Sequence, residues 1–109
     1  MLMMSYGSGN VFRRTTKPKV GLAIANMQPG WAVVVERAED ERPGDWYVQV
    51  LLRKDNTFQL EYRDGEPSQH FQTRTVSREK VIDAVVGWAK NDPAWKEAFM
   101  WNNIGAEFE

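Results

Sequence analysis

The chain contains no cysteine. That absence removes disulfides, thiolate zinc sites and cysteine nucleophiles together, and it fits a reducing compartment. Histidine occurs once, as His70, which is a poor start for a zinc site that draws several ligands from His, Cys and carboxylates. No metal or other cofactor is expected. No apolar run approaches the ~18 residues that a membrane-spanning helix needs. "MLMM" gives way at once to "SYGSGN", so there is no signal-peptide core and the expectation is a cytoplasmic protein. Phosphate-binding motifs are missing too: "GSGN" lacks both the spacing of a dinucleotide loop and a strand before it. Ser5, Ser8, Ser68 and Ser77 stand in no nucleophile elbow. There are no internal repeats and no low-complexity tract.

What is present suits one small domain. At 109 residues and 42% hydrophobic, the chain is long enough to bury more than ~60% of its extended surface around a single core. Net charge is −1, unevenly placed. Residues 1–35 carry Arg13, Arg14, Lys17 and Lys19 with no acid, whereas residues 36–109 carry ten basic and fifteen acidic side chains. A nucleic-acid binder usually shows a stronger basic excess, so nucleic acid is an unlikely partner.

Residues 1–16 are rich in Gly, Ser and Thr without an apolar period, and read as a loosely ordered leader before a single α+β domain at 17–109. "KVGLAIANM" (19–27) fits strand or helix, and Pro29-Gly30 then turns the chain. A series of short strands follows. "WAVVVER" (31–37) is β-branched, and "WYVQVLLR" (46–53) places Trp46, Val48, Val50 and Leu52 on one face. "TFQLEYR" (57–63) and "QHFQTRT" (69–75) alternate apolar and polar. Short loops join these segments into an antiparallel meander of about four strands, one face packed and the other wet. At Ser77 the period changes. Val81, Ile82, Val85, Trp88 and Ala89 lie on one helical face, with Ser77 as N-cap and Glu79 in the first turn. Asp92-Pro93 opens a second short helix, and "MWNNIG" continues as a last short strand or an extended segment. The helical stripe packs on the apolar sheet face, giving an α+β fold.

Chemistry concentrates in "QLEYRDGEPSQHFQT" (59–73), where Glu61, Asp64 and Glu66 surround His70. If Phe58, Leu60, Tyr62 and Phe71 face the core, Glu61 and His70 point outward, and His70 reads as a surface residue of a hairpin. Its use as an acid or base would need an orienting group and a concavity. Acidic residues gather in two places: Glu36, Glu39, Asp40, Glu41 and Asp45 around the first hairpin loop, and Glu61, Asp64 and Glu66 around the turn after the third strand. Acidic loops at a sheet edge suit capture of a basic partner, since complementary charge speeds encounter. Most of the five tryptophans belong in a core this small. Trp31 and Trp101, near element ends, are the ones expected at a partner surface.

The segments "EYRDG" (61–65), "VSREKVIDAVVGWA" (76–89) and "MWNNI" (100–104) resemble the small immunity proteins of bacterial polymorphic toxin systems, across about half of the chain. That resemblance implies a non-enzymatic protein that neutralises one cognate toxin by covering its active cleft. It transfers no residue roles. From charge and exposure alone, the candidate partner contacts are Asp40, Glu41, Asp45, Glu61, Asp64, Glu66 and Trp101, against a basic protein. The alternative is a ligand-binding domain or enzyme with a pocket between sheet and helix, using His70.

Overall fold

The computed structural model describes residues 2–7, 10–12, 15–37 and 43–108. It is an α+β fold: an antiparallel sheet of seven strands in the order β2-β1-β3-β4-β5-β6-β7, with two helices on one face. The expected meander supplies the middle of the sheet as β3 (Ala32–Arg37), β4 (Asp45–Leu52), β5 (Phe58–Gly65) and β6 (His70–Thr75). Their registers put Val35, Val48, Tyr62 and Phe71 in one row and Val33, Val50, Leu60 and Thr73 in the next. Period-2 alternation therefore points one apolar side chain per two residues at the same face.

The leader expected at residues 1–16 is instead partly strand. β1 (Leu2–Gly7) pairs along the whole of β3, and β2 (Asn10–Phe12) pairs with β1 at the sheet edge. Met4, opposite Val35, is 1% exposed and extends the core row. Without β1, the apolar strand β3 would present an open edge. Arg13 and Arg14 lie outside the described residues.

The ambiguous segment after the leader is helix α1 (Lys17–Ala25), started by Thr16, whose hydroxyl accepts from Lys19 N, and by Pro18 in the first turn. Only Val20 and Ile24 are fully buried along it. Helix α2 (Arg78–Ala89) starts at Ser77, as its sequence signals require, and buries Val81, Ala84, Val85, Trp88 and Ala89. The two helices support one another. Arg78 donates to the carbonyls of Ile24 and Ala25, both at 2.8 Å, and so satisfies the C-terminal end of α1 with a positive charge. Asp92 caps a 3-10 helix over Pro93–Ala98, which lies close against α2: a Cβ at Gly87 would stand 2.7 Å from Trp95 Cβ. The chain then returns to the sheet as β7 (Asn102–Asn103), paired with Phe71 and Gln72 of β6, and ends in a 3-10 turn at Gly105–Phe108.

Among the described residues, no α-helix lies on the second face of the sheet. Rows of opposed residues cross it, including Met3–Glu36–Tyr47–Arg63–His70 and Ser5–Val34–Gln49–Glu61–Gln72. No described helix is long and apolar enough to cross a membrane.

Candidate functional site

Two groups of polar side chains lie on opposite faces of β5, because residues 61 and 64 differ by an odd number along a strand.

On the open face, Glu61, Arg63 and His70 form a closed network. His70 Nε2 donates to Glu61 Oε1 at 2.8 Å, while His70 Nδ1 accepts from Arg63 Nε at 3.1 Å. An imidazole with one accepting and one donating nitrogen satisfies both contacts. Tyr47 Oη stands 3.4 Å from the same Nδ1. The other Glu61 oxygen accepts from Gln59 Nε2 at 2.7 Å, and Gln59 Oε1 accepts from Arg53 at 2.8 Å. Burial works to raise the Glu61 carboxyl, but hydrogen bonds from Gln59, His70 and Gln72 outweigh it and leave it below its ordinary value. Burial also raises the Tyr47 phenol, against the opposing Arg63 charge.

His70 is therefore not the exposed hairpin residue that its sequence context suggests. It is 2% exposed. The correction has a specific cause: Phe108, thirty-eight residues downstream, places its ring 4.4 Å from the imidazole, and the Arg63 guanidinium stands 4.8 Å from the same ring. Ile104 N also donates to His70 O at 2.8 Å. Nor does His70 enter a pocket between sheet and helix, since its side chain lies on the helix-free face. With both ring nitrogens engaged and the ring covered, this network fastens the C-terminal segment to the sheet. Among the described residues, no group of three or more His, Asp or Glu is arranged to hold a metal ion.

The other group stands at the end of the sheet where β4 begins and β5 ends. Register sets Trp46 opposite Asp64 on one face, with Glu66 beside them in the following turn, whereas Asp45, opposite Gly65, turns to the other face. Asp45 and Glu66 are exposed. Ser68 Oγ donates to Glu66 at 3.1 Å, and Lys96 Nζ reaches Asp64 at 3.3 Å across a partly exposed gap. Trp46 is half-buried here, with its indole N–H donated to Pro43 O at 3.1 Å. A cleft of about 220 Å³ separates Trp46 and Asp64 from Trp88, Trp95 and Lys96, and an adjoining hollow is bounded by Pro43, Trp46, Asp64 and Glu66.

Of the residues nominated from sequence, Asp64 and Glu66 come together, while Asp45 is exposed on the other face of the sheet. Glu61 does not join them, being turned to the opposite face and engaged with His70. Trp101 is not a free anchor: it packs edge-to-face on Tyr62 and Trp95, with ring centroids 4.7 and 5.6 Å away, and donates its N–H to Lys96 O. Beneath it, burial and the Asp64 charge push the Tyr62 phenol up to about 12. Asp40 and Glu41 lie outside the described residues. Trp31 lines a separate apolar cleft of about 280 Å³ with Met4, Leu22 and Ala23. Trp46 was the residue that sequence reasoning passed over. Its only signal was a glycine on each hairpin beside it, Gly44 and Gly65, and these become meaningful only when β4 and β5 are paired.

No protein-family model, curated protein or solved structure matches the chain.

Proposed function

We propose that this chain is a non-enzymatic protein-binding module that neutralises a cognate toxin in the cytoplasm by covering its active cleft. The observation that carries the reading is the placement of Asp64 and Glu66 beside the half-buried ring of Trp46 at one end of the sheet. The end of β5 and the turn after it thereby place two carboxylates beside an aromatic ring, a composition that suits a basic protein partner. The sequence resemblance to immunity proteins points the same way. The histidine network supports it indirectly, because the most chemically loaded side chains of the chain are committed to holding the fold.

The test is affinity capture with tagged wild-type protein beside an Asp64→Lys, Glu66→Lys variant, followed by association kinetics with the captured protein. The expected result is one stoichiometric basic partner whose association slows by about tenfold or more at low salt in the variant. No stoichiometric partner, or one that associates with both proteins at the same rate, overturns the reading.

A further inference from the structure

We propose that the outer edge of β6 at Arg74 docks a short extended segment of another protein, which adds a strand there and sets an acidic side chain opposite Arg74. The site lies at the other end of β6 from the turn that carries Glu66, and it stands whether or not the chain neutralises a toxin.

The backbone of β6 is the first support. Asp64 N donates to Gln69 O at 2.9 Å on the β5 side, whereas Ile104 N donates to His70 O at 2.8 Å on the outer side. These directions alternate along an antiparallel ladder, so the N–H and C=O of Gln72 and Arg74 also point outward. Gln72 meets Asn102, and there β7 ends, having paired only with Phe71 and Gln72. The chain preceding β7 is drawn onto the helix-bearing face, where Trp101 packs on Tyr62 and Trp95. Among the described residues, the Arg74 N–H and C=O therefore meet no strand partner at the edge. A donor and an acceptor presented side by side at an open edge are matched by another extended backbone.

Side chains narrow the occupant. Arg74 falls in the same alternating set as His70 and Gln72, so its guanidinium stands over the helix-free face. It is exposed and has no ion-pair partner among the described residues. Its neighbour across β5 is Gln59, whose amide is already engaged with Arg53 and Glu61. An acid on the added strand would complete a cross-strand pair of opposite charge. The same rule disfavours a second copy of this chain, because twofold pairing of the gap would set Arg74 against Arg74. Apolar residues on either side of that acid also have a use. Val76, just past the end of β6, is 80% exposed, and Met100, two residues before β7, is 91% exposed. These two side chains belong to the segments that border the gap, and an added strand would cover them.

The experiment follows the Arg74 amide in ¹⁵N-labelled full chain. It is titrated with capped Thr-Val-Glu-Val-Thr, with the same peptide carrying lysine for glutamate, and with the glutamate peptide N-methylated at its glutamate. The expected result is a saturable downfield shift with the glutamate peptide. Binding should be about threefold or more weaker for the lysine peptide, which opposes like charges. It should weaken by about threefold or more on N-methylation, which removes the donor to Arg74 O. Arg74→Glu, an exposed change that leaves the edge backbone in place, should reverse the preference between the two charged peptides at the position-74 amide. Absence of a saturable shift, equal binding of the methylated and unmethylated peptides, or an unreversed preference in Arg74→Glu overturns the proposal.

Discussion

Glu61 and Asp64 stand three residues apart on β5, and each reaches a nitrogen of another element, yet the two contacts are different kinds of object. Glu61 meets a histidine that is 2% exposed, at 2.8 Å, with its second oxygen occupied by Gln59. Asp64 meets a lysine at 3.3 Å with both partners substantially in water. The odd spacing sends one to the helix-free face beneath Phe108 and the other to the rim of the Trp46 cleft. Where solvent is excluded, every donor must find an acceptor, so the contact becomes part of the fold. Where solvent remains, the pair is exchangeable and the carboxylate stays available to a partner. The comparison teaches that two acids three positions apart on one strand carry opposite roles, although composition counts them alike.

The largest effect should come from breaking the buried side. Glu61→Ala leaves His70 Nε2 and Gln59 Nε2 without their acceptor, and we expect a loss of about 2–3 kcal/mol in chemical denaturation. A variant within experimental error of wild type would place that network outside the fold's essential interactions. Gly105→Ala tests the segment that covers His70. Its Cβ would lie 2.6 Å from Ser68 O, and overpacking there should cost about 1–2 kcal/mol and speed exchange of the Ile104 amide. Normal protection of that amide would mean the backbone shifts without consequence.

Acid sharpens the same comparison. The Glu61 carboxyl sits below its ordinary value in the folded chain. The folded state therefore binds the proton less readily than the unfolded state, and Glu61 contributes stability above the unfolded carboxylate value. That contribution is lost as pH falls through the folded value. Glu61→Gln should flatten this acid limb of the stability profile; an unchanged limb would assign it to other carboxylates. The smallest effect is expected at the exposed pair. Lys96→Ala or Asp64→Asn should change stability by no more than about 0.5 kcal/mol, read by thermal unfolding at low salt. A loss several times larger would make Asp64 a structural residue and weaken its assignment to a partner.

Much of the fold was legible because its signals are local. Alternation in β3 to β6 located the core face, and their observed bounds differ from the sequence reading by at most two residues. Ser77, Glu79 and the apolar stripe announced α2, as Asp92-Pro93 announced the 3-10 helix. At the candidate site, Asp45, Asp64 and Glu66 were named as contacts from charge, but the β4–β5 register decided that Asp64 and Glu66 stand beside Trp46 and that Asp45 turns away. Trp101 looked like an anchor because its position near an element end says nothing of the Tyr62, Trp95 and Phe99 rings waiting around it.

The amino-acid sequence by itself determined the class of the molecule, since periods of 2 and 3.6 and the capping residues are properties of neighbours in the chain. It also determined the unequal placement of charge and the absence of thiol chemistry. Tertiary structure alone decided that residues 2–7 complete the sheet, because the pairing partner that orders them, β3, lies some thirty residues away. It decided equally that His70 is buried, because burial is a property of what covers a side chain, and here the cover arrives with Phe108 near the far end of the chain.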